Sequence, residues 1–128
     1  MTTSVEKQSR APRRIASTAL LWALQLALAA VFAGAGLAKL AADPAMVGMF
    51  SDIGAGQWLR FLVGGLEVAG AICLLVPLLA GRAAVALAFV MVGATITNLV
   101  ILDNSPALPL ALLLLTAGVA WVRRAQLP

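Results

Sequence analysis

Five polar residues of this chain could carry chemistry, and each lies inside or at the edge of an apolar segment: Lys39, Arg60, Glu67, Thr95 and Asn98. Glu67 is the most informative of them, because it lies well inside the apolar stretch 61–77. At membrane depth a charged side chain costs about 2.5–3.5 kcal/mol on insertion scales. Such a carboxylate needs either a partner charge or a task, such as proton exchange or the binding of a polar headgroup.

Helical periodicity places the polar residues on single stripes. At about 100° per residue, Gln25 and Lys39 share one face of the first apolar segment. Arg60 and Glu67 share one face of the second, and Thr95 and Asn98 share one face of the third. Lipid-facing positions cannot hold such groups, so each stripe is expected to face the interior of a helical bundle.

The depths of three residues also agree. Helical side chains lean toward the N-terminus of their helix. Lys39 and Asn98 lie on helices that run toward the outer surface, so their side chains point back toward the bilayer centre. Glu67 lies on a helix that runs inward, so its side chain points toward the outer surface. We therefore predict a Lys39–Glu67 ion pair in the outer half of the bilayer, with Thr95 and Asn98 as hydrogen-bonding neighbours. Arg60 is expected to be an interfacial charge at the outer face, and it could compete with Lys39 for Glu67.

Other interpretations of these residues stay open. Lys39 could snorkel to the interface instead of pairing, and a Lys39–Glu67 pair could be structural only. Gln25 is deeper and is more typical of an interhelical hydrogen bond than of a ligand site. The chain has no histidine and one cysteine, so haem ligation through histidine, a disulfide and a CxxC pair are excluded, and we predict no metal site.

Composition places most of the chain in lipid. Of 128 residues, 62% are hydrophobic and 11% charged, against about 45–50% and 25% in soluble domains. The net charge of +4 does not indicate nucleic acid, because the basic residues lie at the ends of apolar runs.

The expected fold is all-α, a four-helix transmembrane bundle over 15–124 after a disordered cytoplasmic tail at 1–14. The predicted spans are 15–40, 57–79, 82–102 and 107–122, with a tight turn at 80–82. A short interfacial helix is predicted between the first two spans, begun by Asp43 and Pro44 and ended by Gly54 and Gly56. Basic residues at one end of the spans predict an inner-membrane protein with both termini in the cytoplasm.

Three segments then resemble the DoxX-like family of small four-helix integral membrane proteins: Phe32–Leu40, Phe50–Pro77 and Val92–Leu99. The most specific pieces are G-x-x-K-L at Gly36–Leu40 and G-x-x-E-x-x-G at Gly64–Gly70. The family name derives from a subunit associated with a membrane thiosulfate–quinone or terminal oxidase system. The resemblance therefore implies the architecture, and it leaves redox partners and a quinone ligand as hypotheses. Many members have a histidine near the position of Asn98, and asparagine here argues against a metal or acid–base role.

The leading hypothesis is a non-catalytic subunit or partner of a quinone-linked membrane redox system, with the bilayer and redox enzyme subunits as partners. No cofactor is assigned, quinone stays open as a ligand, and abundant small residues leave homo-oligomerisation open. One alternative is a quinol-handling oxidoreductase module that uses Glu67 for proton exchange. Another is a small-molecule transporter, which the lysine near Glu67 disfavours for cations.

Overall fold

The computed structural model describes residues 4–127, with side chains from residue 15 onward except that of Gln126. The described chain folds into helices joined by short turns and contains no strand, which confirms the all-α class. Its elements, in order, are α1 Ser4–Leu40, α2 Pro44–Ile53, α3 Trp58–Leu74, α4 Ala80–Val100, α5 Ala107–Val122 and a final 3-10 turn Arg124–Gln126.

Two stretches of the described chain are long and apolar enough to cross a membrane by length and composition. They are Ile15–Leu40 within α1, with a mean hydropathy of 2.0, and α4, with a mean hydropathy of 2.1. The other two predicted spans are shorter, since α3 has 17 residues and α5 has 16. At about 1.5 Å per residue they reach only ~24–26 Å of a ~30 Å hydrocarbon core.

The connection between α3 and α4 differs from the prediction. α3 ends at Leu74 rather than at residue 79, and α4 begins at Ala80, so the turn occupies 75–79 instead of 80–82. Pro77 explains the difference, because proline lacks an N–H and disfavours helical geometry in the residue before it. The last turn tightens instead, with Leu75 N donating to the Ile72 carbonyl at 3.0 Å.

The first helix also differs, because its backbone is helical from Ser4 rather than from residue 15. The predicted disordered tail at 1–14 is thus helical over 4–14, and residues 1–3 lie outside the described part. Extending an existing helix needs no new nucleation, which is the costly step.

The short helix α2 follows the predicted signals closely. Asp43 is its N-cap and accepts a hydrogen bond from Ala45 N at 3.0 Å, and Pro44 is the first helical residue. Gly54 ends α2 with a φ of 81°, a left-handed conformation that glycine adopts without a Cβ penalty. Phe50 is the buried residue of this helix.

The core lies where α1 packs on α3, α3 on α4, and α4 on α5. Its largest fully buried apolar side chains are Phe32, Leu74, Leu87 and Val119. Many large apolar side chains instead lie on the outside, such as Leu26, Ile72, Phe89 and Leu114. A contiguous apolar exterior is what a helical bundle exposes to lipid.

Candidate functional site

The backbones of α1 and α3 approach closely at two glycines. A Cβ on Gly36 would lie 2.7 Å from the Gly64 carbonyl oxygen, and one on Gly64 would lie 2.9 Å from the Lys39 Cβ. Each glycine precedes a charged residue by three positions, so glycine and charge share a helix face. The contact between Gly36 and Gly64 therefore brings Lys39 and Glu67 together.

The predicted Lys39–Glu67 ion pair is present. Lys39 Nζ lies 2.8 Å from Glu67 Oε1, and the two side chains are only 11% and 3% exposed. Glu67 Oε1 accepts no further hydrogen bond from the described residues. The pair is therefore buried, with its carboxylate oxygen relying on the ammonium alone.

A cavity of about 410 Å³ borders this ion pair. Its polar lining comprises Lys39, Glu67, Thr97 and Asn98, and its other walls are apolar apart from backbone, with side chains contributed by all five helices. Met49 and Phe50 of α2 form part of the wall. The volume falls in the range of small-molecule pockets, about 300–1,000 Å³, and the lining suits a ligand with an apolar body and one polar group.

Arg60 does not pair with Glu67, so its prediction as a competing partner is wrong. It is buried at 5% exposure, its Nε donates to Gln57 Oε1 at 2.8 Å, and Nη1 donates to the Lys39 carbonyl. Its guanidinium carbon also lies 4.3 Å from the centre of the Phe61 ring. Arg60 thus satisfies a carbonyl at the C-terminus of α1, next to the ion pair.

The predicted hydrogen-bonding neighbours of the pair also have other partners. Thr95 Oγ1 donates to the Met91 carbonyl of its own helix at 2.7 Å, and Asn98 Nδ2 donates to the Ser105 carbonyl at 3.1 Å. Asn98 lines the cavity, whereas Thr95 does not. A threonine hydroxyl in a helix readily turns to the preceding carbonyl, which periodicity does not reveal.

Thr97 is the polar side chain of the cavity lining that sequence reasoning missed. It lines the cavity together with Gly93, four positions earlier on the same face, and its hydroxyl donates to the Gly93 carbonyl at 2.7 Å. The spacing of Gly93 and Thr97 was the available signal, because residues four apart share a helix face.

Gln25 has a separate set of partners. It is fully buried, its Nε2 donates to the Leu74 carbonyl at 2.7 Å, and its Oε1 accepts from Arg123 Nε at 2.6 Å. The interpretation as an interhelical hydrogen bond is confirmed. Its contact with Arg123 was not foreseen, because the basic residues at the ends of the spans were interpreted as topology signals.

The family relation rests on these same elements. The model of the DoxX-like family matches residues 23–120, a range that holds Gln25, both glycine–charge motifs and the whole cavity lining. The chain belongs to the DoxX-like family. This confirms the resemblance carried by Gly36–Leu40 and Gly64–Gly70, and it makes the protein a membrane protein of that family. Curated proteins and solved structures give no match.

The glycine motifs of this DoxX-like chain now have a structural reason. In the G-x-x-E-x-x-G segment, Gly64 faces α1, while Gly70 faces α4, where an added Cβ would lie 2.6 Å from Leu87 Cδ2. The segment therefore lets α3 pack closely against α1 and α4 while it presents Glu67 to the cavity. A group of histidine, cysteine or acidic residues that could hold a metal does not occur among the described residues.

Proposed function

We propose that this DoxX-like protein is a four-helix transmembrane bundle that acts as a non-catalytic subunit or partner of a quinone-linked membrane redox system. In this proposal the quinone headgroup occupies the cavity at Lys39 and Glu67. The observation that carries it is the buried ion pair on the wall of an otherwise largely apolar cavity.

The chemistry of the cavity fits a quinone headgroup. A quinone offers carbonyl oxygens on a flat apolar ring, and the Lys39 ammonium has three N–H donors, one of which faces Glu67. Two donors remain for a ligand, and the Lys39 side chain as a whole is 11% exposed. The apolar walls from α2, α4 and α5 would hold the ring and the start of the tail.

Electron transfer would belong to a partner subunit. Among the side chains of this chain there is no histidine, and the single cysteine, Cys73, is a free thiol inside α3. One thiol cannot complete an internal dithiol–disulfide cycle. The protein would therefore position the quinone while a partner oxidises or reduces it.

The placement in the membrane follows from charge. Arg82, Arg123 and Arg124 belong to one end of the bundle, while Asp43 and Asp103 belong to the other. The positive-inside rule supports the proposal that the arginine end faces the cytoplasm, which would make both termini cytoplasmic. The ion pair would then lie in the outer half of the inner membrane, with α2 at the outer interface.

Quinone binding to the full chain in lipid nanodiscs tests this proposal. A soluble short-tail quinone should quench the tryptophan fluorescence of the wild type saturably. In Lys39→Met/Glu67→Leu, which keeps the cavity wall filled but apolar, the affinity should fall at least tenfold. The matched control is Gln25→Leu, which alters the other buried polar cluster and should bind like the wild type.

Equal quinone affinity in the wild type and the double variant would remove the basis of the proposal. The partner is tested by crosslinking in native membranes, where a redox enzyme subunit should be captured through the outer end of the bundle.

A second candidate function is supported by the position of Glu67 Oε1, which is buried at the cavity with Lys39 as its polar neighbour. A carboxylate beside a bound quinol could accept its proton when a partner removes the electrons. Glu67→Gln should then retain quinone binding but lose partner-dependent quinol oxidation. Full turnover in Glu67→Gln would reject this role and leave the binding role intact.

A further inference from the structure

A second concave region lies between α4 and α5 on the outside of the bundle. This groove has a volume of about 490 Å³. Its lining is apolar except for one arginine, and comprises Val85, Ala88, Phe89, Val92, Ala117, Ala120, Trp121, Arg124 and Leu127. The groove borders neither Lys39 nor Glu67, and Phe89 is the one lining residue that it shares with the cavity described above.

Arg124 lies at one end of the groove with most of its hydrogen-bonding capacity free. Its Nη1 donates to the Trp121 carbonyl at 2.8 Å, and its guanidinium carbon lies 4.5 Å from the Trp121 ring. The side chain is exposed and pairs with no carboxylate among the described residues. A guanidinium has five N–H donors in a planar fork that matches phosphate, so four remain for a ligand.

The surrounding charge has the same sign. Arg82 lies in the first turn of α4 and Arg123 follows α5, so both lie at the end where Arg124 lies. Asp43 and Asp103 follow the opposite ends of α1 and α4, and Asp52 lies within α2, which follows α1. The groove is therefore apolar along its length and has arginine side chains at one end, and no described acidic side chain neutralises their charge.

We propose that this groove binds an anionic phospholipid of the surrounding bilayer, with an acyl chain between α4 and α5 and the phosphate on Arg124. The groove follows α4 from Val85 to Val92, which is ~10 Å along the helix axis and suits part of an acyl chain. Trp121 lies near the end of α5, and indole rings favour the headgroup level of a bilayer. A zwitterionic lipid presents the same phosphate but adds a cation, which the uncompensated arginines disfavour.

Native mass spectrometry of the full chain tests the proposal. The protein in detergent is given equal amounts of phosphatidylglycerol and phosphatidylcholine with identical acyl chains. We expect the wild type to retain phosphatidylglycerol at least fivefold over phosphatidylcholine. Arg124→Gln should lower that ratio to about one, while Arg82→Gln, which removes the same charge outside the groove, should keep most of it.

A second pair of variants tests the apolar part of the groove. Ala117→Phe fills it and should lower the amount of bound phosphatidylglycerol, whereas Ala30→Phe, on an exposed face of α1, should not. Melting temperatures of all variants control for folding. If Arg124→Gln does not fold, the Ala117→Phe and Ala30→Phe comparison decides the question.

Three results would overturn the proposal. The wild type could retain both lipids equally, or Arg82→Gln could lose as much preference as Arg124→Gln, which would show a diffuse charge effect. Inorganic phosphate alone could displace phosphatidylglycerol at equal concentration, which would show a free-anion site in place of a lipid site.

Discussion

Two buried polar clusters join α1 to α3, and they differ in that a cavity adjoins only one of them. In the Gln25 cluster both ends of the amide have partners, Leu74 and Arg123, and the side chain is fully buried. In the Lys39–Glu67 pair, Oε1 relies on the ammonium alone, and a cavity adjoins both residues. The two clusters lie ~21 Å apart along α1.

The comparison separates polar burial from polar function. Both clusters satisfy the requirement that polar groups within a bundle find partners. Only the ion pair keeps unused donors beside a space large enough for a ligand, so the proposed binding role rests on it. The Gln25 cluster borders neither the cavity nor the groove described above and serves helix association.

The largest expected effect comes from breaking the ion pair at one side. Lys39→Met leaves Glu67 buried without its partner, and removing one member of a buried pair costs about 3–5 kcal/mol. Reversible unfolding in mixed micelles measures this loss. Lys39→Met/Glu67→Leu should recover most of the stability, and a single variant as stable as the wild type would contradict the burial of Glu67.

The next effect comes from the glycine contact that positions the pair. Gly64→Ala places a Cβ 2.9 Å from the Lys39 Cβ, and overpacking of this kind costs about 1–3 kcal/mol. It should also weaken quinone binding, because Lys39 and Glu67 are pushed apart. Gly65→Ala is the matched control, since nothing lies within 4 Å of its added Cβ. Similar losses of stability and quinone affinity in both variants would show that the close approach of α1 and α3 at Gly64 does not position the ion pair.

A smaller effect is expected at the other cluster. Gln25→Leu leaves the Leu74 carbonyl and Arg123 without their partner, at a cost of about 1 kcal/mol for interhelical hydrogen bonds in a membrane. Unfolding in micelles should show this loss, while the quinone titration stays unchanged. A loss of quinone affinity in Gln25→Leu would show that the Gln25 cluster also contributes to ligand binding, which contradicts a purely structural role for it.

The smallest effect is expected at the start of α2, which covers the cavity with Met49 and Phe50. Asp43→Ala removes the N-cap of α2 at about 0.5–1 kcal/mol, and a frayed α2 should release quinone faster. Stopped-flow fluorescence measures the dissociation rate. Asp52→Ala, on the exposed face of the same helix, should leave the dissociation rate unchanged. A wild-type dissociation rate in Asp43→Ala would show that α2 does not retain the quinone.

The sequence by itself determined the features that depend on neighbouring residues. Asp43, Pro44 and Gly54 defined α2 because caps and turns are local chemistry. Spacing placed Lys39 and Glu67 on inward faces because a charge within an apolar helix has few acceptable directions. The family likeness had the same origin, since its motifs combine these charges with the glycines beside them.

The tertiary structure decided which polar groups meet. Arg60 lies on the same stripe as Glu67, yet it binds the Lys39 carbonyl, because the end of α1 comes within its reach. The Thr95 hydroxyl donates to a carbonyl of its own helix, and Gln25 accepts a hydrogen bond from Arg123, which lies 98 residues later in the chain. The cavity lies where all five helices contribute side chains. These outcomes depend on the distances between helices and on side-chain rotamers, which periodicity along one helix does not contain.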